Sequence, residues 1–245
     1  MKRLLAIALI VLFGLSSLAE ATKKDKLLDY QFMETATLED IKKAIKGGAK
    51  VKAKDRDGKT ALFYAAKYTP YPDVVKFLVK KGVEVNAKTK GQYSDASTAL
   101  MEGIANPNPQ VIQSLIDSGA DVKARDVYGG TPLHYAGITS HKVLPETIII
   151  LLEAGAYVDA KDDAGKTPLM EAITNPYEPN PDVIVTFIAN GADVRERDIK
   201  GYTVYGLAGR SGRIYNWENK DEVHKALRMG QQRARQRIQQ LLKKK

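Results

Sequence analysis

The 245-residue chain contains no cysteine, which excludes disulfide bonds, a thiolate nucleophile and a cysteine-ligated metal. Histidine is also scarce, and none of the 3 histidines lies beside other residues spaced to bind a metal. We therefore predict no metal and no cofactor. The chain is 44% hydrophobic and 27% charged, which is too apolar for a disordered protein. This composition and length predict one compact domain or one elongated repeat array.

Long apolar runs are scarce, and the main one lies at the N-terminus. Lys2 and Arg3 precede an apolar stretch from Leu4 to Leu18, and a small-x-small site follows at residues 19–21. This order is typical of a secretory signal peptide cleaved before Thr22. The apolar run is shorter than the ~20 residues of a spanning helix, although an uncleaved membrane anchor is the alternative. We expect an exported protein, periplasmic in a Gram-negative bacterium and otherwise secreted.

Acidic residues are fewer than basic ones, and the formal net charge is +9. Such an excess would suggest a nucleic-acid partner, but its distribution does not. Residues 22–90 carry a net charge of +8, residues 91–224 carry −8, and residues 225–245 carry 8 basic and no acidic groups. The body is therefore neutral but polarised, and we predict no binding to nucleic acid.

Two sets of landmarks recur along the chain, and both have the same period. In each unit a threonine precedes an apolar segment that contains small residues. Successive threonines of this kind are 38, 33, 36 and 36 residues apart. Each of four units later has a second apolar run that ends at glycine, with proline ten residues before it. The threonines are Thr60, Thr98, Thr131, Thr167 and Thr203; the glycines are Gly82, Gly119, Gly155 and Gly191; the prolines are Pro72, Pro109, Pro145 and Pro181.

Each unit predicts two helices joined by a link. Threonine caps the first helix, and small residues such as Ala136 and Gly137 let neighbouring helices approach closely. Asn108 and Asn180 predict the N-caps of second helices, each followed by proline. The closing glycine, for example Gly82, predicts a left-handed residue just after the helix.

These units resemble the ankyrin repeat, whose signature is T-P-L-H-x-A, followed by a second helix ending in glycine and an extended exit. Residues 131–136 (TPLHYA) match the signature fully, and residues 167–172 (TPLMEA) lack only the histidine. The resemblance implies an all-α solenoid of stacked helix-turn-helix units with projecting hairpin-like turns. It covers about residues 37–230, with four full repeats between two degenerate caps. A turn lengthened by four residues before Thr98 is a departure from the family pattern.

The predicted organisation has five parts. They are a signal peptide (1–21), an N-terminal capping half-repeat (22–54), the ankyrin repeats (55–197), a degenerate C-terminal repeat (198–230) and a basic amphipathic helix (231–245).

Candidate catalytic groups all have a structural interpretation. His134 is the signature histidine, which in this family joins the turn to the neighbouring repeat. Aspartates recur once per turn, which favours hydrogen bonding within the turn over acid–base chemistry. GLAGRSGR at residues 206–213 fails the spacing of a phosphate-binding loop. We therefore predict a protein that is not an enzyme.

The resemblance implies a protein-binding surface made of turn tips and the exposed side of each first helix. Carried over by position, its residues are Arg56, Asp57, Lys59, Lys67, Tyr68, Tyr93, Ser94, Val127, Tyr128, Ile138, Thr139, Asp163, Ala164, Lys166, Thr174, Asn175, Lys200 and Tyr202. The charge polarity predicts a partner with an acidic patch facing the first repeats and a basic one facing the later repeats. We expect the protein itself to be a monomer.

The C-terminal segment allows a second function. Val223, Leu227, Ala234, Ile238 and Leu241 form one apolar stripe opposite a basic, glutamine-rich face. This helix caps the end of the array or, alternatively, lies on an anionic envelope surface and anchors a structural protein through residues 231–245.

Overall fold

The computed structural model describes residues 26–90, 95–139, 143–175, 180–210, 225, 227–229 and 232. The predicted signal peptide, Tyr93, Ser94 and nearly all of the predicted C-terminal helix lie outside the described residues.

Within these ranges the fold is a succession of short helices with no extended strand, in agreement with the predicted all-α solenoid. A 3₁₀ helix spans Lys26–Leu28. The α-helices are α1 (Tyr30–Thr35), α2 (Leu38–Lys46), α3 (Ala61–Tyr68), α4 (Pro72–Lys80), α5 (Ala99–Gly103), α6 (Pro109–Asp117), α7 (Pro132–Ile138), α8 (Pro145–Glu153), α9 (Pro168–Thr174), α10 (Pro181–Ala189) and α11 (Val204–Arg210).

The helices begin and end at the residues that local chemistry predicts. Asn108 and Asn180 cap α6 and α10 by accepting the backbone N–H two residues later, and proline occupies the first turn of each. The closing glycines have φ between 84° and 101°, the left-handed region that glycine occupies without strain. Gly82 shows why that residue type is needed, since it follows the C-cap of α4 and turns the chain away from the helix.

Successive units stack first helix on first helix and second helix on second helix, so one apolar core runs through the array. Small residues permit close approach at the first helices, as predicted. A Cβ added at Gly137 of α7 would lie 2.6 Å from the carbonyl oxygen of Pro168 and 2.8 Å from the amide nitrogen of Ala172. The backbones of α7 and α9 are therefore too close for any side chain at this position.

The turns between units project as a row and are joined to one another. Asp57, Tyr128 and Ala164 each accept a backbone hydrogen bond through their carbonyl oxygen from the next tip along the array, at 2.7, 2.9 and 3.1 Å. Within each turn an aspartate accepts backbone N–H groups, for example Asp126 from Tyr128 and Gly130. The predicted structural role of the turn aspartates is thereby confirmed, because their carboxylates hold the turn closed.

The lengthened turn before Thr98 uses a residue that does not suit its backbone. Ala96 has φ 56°, whereas the residue two before the capping threonine in the other turns is glycine, with φ between 71° and 80°. A left-handed conformation places Cβ close to the backbone and costs about 1 kcal/mol.

Ala96→Gly is expected to raise the free energy of unfolding by about 0.5–1 kcal/mol, because it removes the strain at the cost of a more flexible unfolded chain. Gly201→Ala is the matched converse. Gly201 has φ 80°, and among the described residues no neighbouring heavy atom lies within 4 Å of an added Cβ, so this variant adds backbone strain without a steric clash and is expected to be destabilised. Urea denaturation compares the two, and a destabilised Ala96→Gly protein would contradict the assignment of strain.

Candidate binding surface

Half of the predicted surface residues that the structure describes are exposed, at turn tips or on first helices. Val127 and Tyr128 have 54% and 68% of their surface exposed, and Ile138 on α7 has 41%. The other exposed members are Arg56, Asp57, Lys67, Asp163 and Lys200, and the half-buried ones are Lys59, Tyr68, Thr139, Ala164, Lys166, Thr174 and Tyr202. The tips therefore present apolar and charged groups side by side.

Asn175 is the exception, and its predicted place on the surface is wrong. Its side chain is 1% exposed, and its amide donates hydrogen bonds to the carbonyl oxygens of Gly137 and Ile138 in the preceding unit. The equivalent residue two units earlier, Asn106, does the same for Ala66 and Thr69 at 2.8 and 2.9 Å. These side-chain amides donate hydrogen bonds to carbonyl groups at the end of a helix, which have no partner within that helix. A shared signal was present in the sequence, since both asparagines lie eight residues after a capping threonine and immediately before proline.

Charged residues of the turns and first helices are paired with one another. Glu102 of α5 lies 3.4 Å from the ammonium of Lys59 and 3.1 Å from that of Lys67, which joins the first two full units. Lys166 and Glu171 form a similar pair at 3.0 Å within the fourth unit. Both glutamates are largely buried, so these pairs order the surface of the turns and first helices more than exposed pairs would.

Several exposed apolar and aromatic residues are not among those predicted from the repeat pattern. Ile199 at the last turn tip and Tyr205 on α11 have 72% and 41% exposed surface. Tyr30 of the N-terminal cap is 50% exposed, and its ring centroid lies 5.6 Å from that of Tyr68. The cap lacks the repeat signature, and only the stacking of α1 on α3 brings these two rings together.

His134 has the structural role predicted for it. Nδ1 accepts a hydrogen bond from the backbone N–H of Thr131 at 3.1 Å, and Nε2 lies 3.0 Å from the carbonyl oxygen of Lys166 in the next unit. The neutral ring with a proton on Nε2 satisfies both contacts. Burial lowers the pKa of His134, even though the carbonyl of Lys166 favours the charged form.

The lowered pKa of His134 predicts a loss of stability in mild acid. The unfolded histidine gains a proton as the pH falls below about 6.5, whereas the folded one resists until its own lower pKa. The contribution of the neutral His134 to the free energy of unfolding should therefore have its full value above about pH 6.5. It should decline as the pH falls from there through the pKa of the folded state. His134→Met is a matched control, because Met170 accepts the N–H of Thr167 through sulfur in the equivalent place. Chemical denaturation between pH 5 and 8 should show a steeper decline for the native protein than for His134→Met, and parallel curves would contradict the assignment.

Tyr135 joins the lengthened turn to the turn that follows it. Its hydroxyl donates to a carboxylate oxygen of Asp95 at 2.7 Å and lies 3.2 Å from one of Asp126. Burial raises the pKa of Tyr135, and the two nearby carboxylates raise it further. Burial opposes the charged form of Asp95, but hydrogen bonds from Tyr135 and Ser97 outweigh it and hold the pKa of Asp95 below its usual value. The hydroxyl of Tyr135 thereby holds the lengthened turn, through Asp95, next to the turn that contains Asp126.

The described part of the chain contains no group of three or more histidine, aspartate or glutamate side chains arranged to hold a metal ion. Among the described helices, none has the length and apolar character needed to span a bilayer.

Comparison with known proteins matches the repeat region. Residues 100–198 match the family model described as ankyrin repeats (3 copies), and residues 57–90 match the model of a single ankyrin repeat. Similar curated proteins include the BRCA1-associated RING domain protein 1 of Caenorhabditis elegans, 33% identical over 91 residues, which is 37% of this chain and 12% of that protein. The transient receptor potential cation channel subfamily A member 1 homolog of the same organism is 28% identical over 153 residues, which is 53% of this chain and 13% of that protein. A putative ankyrin repeat protein of Fowlpox virus is 47% identical over 45 residues, which is 18% of this chain and 9% of that protein. The chain therefore spans a small fraction of each relative's length.

Proposed function

Because the chain belongs to the ankyrin-repeat family, we propose that it is an exported scaffold that binds a protein partner through its turn tips and first helices and catalyses no reaction. Ankyrin repeats generally serve as protein-interaction scaffolds and are typically not enzymes. The proposal of export comes from the basic and apolar segments at the start of the sequence.

The observation that carries the proposal is that two turn tips of an ordered edge expose large apolar side chains. Val127, Tyr128 and Ile199 have 54%, 68% and 72% exposed surface, and all three lie at turn tips. Tip-to-tip backbone hydrogen bonds hold these turns, so little conformational entropy remains to be lost on binding. Exposed aromatic and aliphatic residues on a preordered surface are typical anchors of a protein interface.

Val127→Ser with Tyr128→Ser is expected to reduce partner capture by about tenfold or more, because loss of an aromatic anchor at the centre of an interface costs about 2 kcal/mol or more of binding. The measurement is crosslinking in the cell that produces the protein, followed by quantification of the captured protein. Tyr157→Ser is the matched control, since Tyr157 is 66% exposed but lies in the exit loop after α8, away from the tips. Equal loss of capture in both variants, or in neither, would refute binding through the tips.

A further inference from the structure

The N-terminal cap and the first turn form a cleft that could not be predicted from the repeat pattern of the sequence. Lys26 and Tyr30 line it on the cap side, and Lys54, Arg56 and Tyr64 line it on the repeat side. The cleft encloses about 810 Å³ and is open to solvent. This volume is within the range of about 300–1,000 Å³ that is usual for ligand-binding clefts.

Three tyrosine rings form a continuous aromatic strip beside the cleft. The ring centroids of Tyr30 and Tyr68 are 5.6 Å apart, and those of Tyr68 and Tyr64 are 6.5 Å apart. The hydroxyl of Tyr64 donates to Asp55 at 2.7 Å, which fixes the inner ring, while half of the surface of Tyr30 is exposed. The strip is a fixed apolar platform that can accept a large apolar side chain.

The charges at the cleft are unbalanced in favour of cations. Its two acidic side chains are already used by the fold, because Asp29 caps α1 and Asp55 accepts the N–H groups of the first turn. The side chains of Lys54 and Arg56, in contrast, form no ion pair or hydrogen bond with any residue that the structure describes. Lysine and arginine side chains left unpaired beside an aromatic platform favour an anionic ligand.

We propose that this cleft binds an acidic peptide segment of the protein partner, with carboxylates on Lys54 and Arg56 and an aromatic or large aliphatic side chain on the rings of Tyr30 and Tyr68. The proposal rests on the proposed scaffold function and specifies the chemistry of one part of the partner. Charge complementarity selects the acidic segment, and the strip of rings selects a segment that is not purely acidic.

The test begins with selection from a random peptide library displayed on phage, using the purified full chain as the target. The selected peptides are expected to be rich in aspartate and glutamate around at least one aromatic or large aliphatic residue. Fluorescence anisotropy with a labelled selected peptide then measures the dissociation constant. Lys54→Gln with Arg56→Gln should weaken binding about tenfold, and added salt should weaken binding to the native protein.

The control pair makes the same change in charge elsewhere. Lys50 and Lys80 are exposed, and they lie in the exit loop of the cap and at the end of α4. Lys50→Gln with Lys80→Gln should change the dissociation constant by less than about twofold. Tyr30→Ser should weaken binding several-fold, because it removes one of the two rings that the bound side chain would contact while leaving the cations in place. Thermal unfolding of each variant identifies any loss that comes from misfolding.

Four outcomes would overturn the proposal. They are selected peptides without acidic enrichment, equal effects of the two lysine-containing pairs, binding of phosphatidylglycerol vesicles that depends on Lys54 and Arg56, and binding of single-stranded DNA that depends on them.

The proposal for the cleft can fail while the proposed scaffold function holds, and the two results are distinguishable. If the cleft variants leave crosslinked capture unchanged while Val127→Ser with Tyr128→Ser abolishes it, the scaffold stands and the cleft is not part of the interface.

Discussion

Gly137→Ala is expected to lower the free energy of unfolding by about 2–3 kcal/mol, although alanine is the better helix former. The added methyl group would lie 2.6 Å from the carbonyl oxygen of Pro168 and 2.8 Å from the amide nitrogen of Ala172, and both are backbone atoms of α9. Neither atom can move without shifting that helix, so α7 and α9 must separate and open the core between the third and fourth units. Urea denaturation followed by circular dichroism measures the change.

Gly209→Ala is the matched control for this experiment. Gly209 lies six residues after Thr203, as Gly137 lies six residues after Thr131, so the two glycines share one register position. Around Gly209, no heavy atom of the described residues lies within 4 Å of an added Cβ. We expect this variant to be stabilised by about 0.5–1 kcal/mol, since alanine restricts the unfolded chain. Similar effects of the two substitutions would show that close helix approach is not the reason for glycine at residue 137.

Asn106→Ala is expected to cost about 3 kcal/mol, because it removes a buried group with three hydrogen bonds. The amide donates to the carbonyl oxygens of Ala66 and Thr69, and the side-chain oxygen accepts the N–H of Asn108 at 2.8 Å. Without the amide, two carbonyls at the end of α3 stay buried and unpaired. Asn106→Asp should be at least as damaging, since it keeps the shape but directs a carboxylate at two carbonyl oxygens.

Asn108→Ala separates this effect from the general cost of losing an asparagine. Asn108 caps α6 and also donates to the carbonyl oxygen of Pro70 at 2.7 Å, but it is more accessible to water. Its replacement should cost about 1 kcal/mol, as is usual for an N-cap. Thermal or chemical unfolding measures both variants. An Asn106→Ala protein no less stable than Asn108→Ala would mean that the two carbonyls of α3 gain other partners.

Most features predicted correctly from the sequence depend on near neighbours in the chain, and the others, such as the close approach at Gly137, depend on positions that recur in every repeat. Asn108 and Asn180 cap helices through atoms two residues away, and Asp126 closes its turn through atoms two and four residues away. The surface role predicted for Asn175 was wrong because its partners, Gly137 and Ile138, lie 38 and 37 residues earlier. Alignment with the family's repeat pattern places Asn175 at the end of a helix, but it does not show which carbonyl groups of the neighbouring unit lack a partner there.

The sequence alone predicts the order of helices and turns, the period of the array, its helix caps and the close approach at Gly137, because each follows from local backbone chemistry or from the recurrence of small residues. Which side chains meet across units, in contrast, depends on the folded array. It placed Tyr30 of the cap beside Tyr68 and left Lys54 and Arg56 without ion-pair partners among the described residues. The reason is that stacking joins residues about one repeat length apart, and the contact between two units depends on the shape of both surfaces.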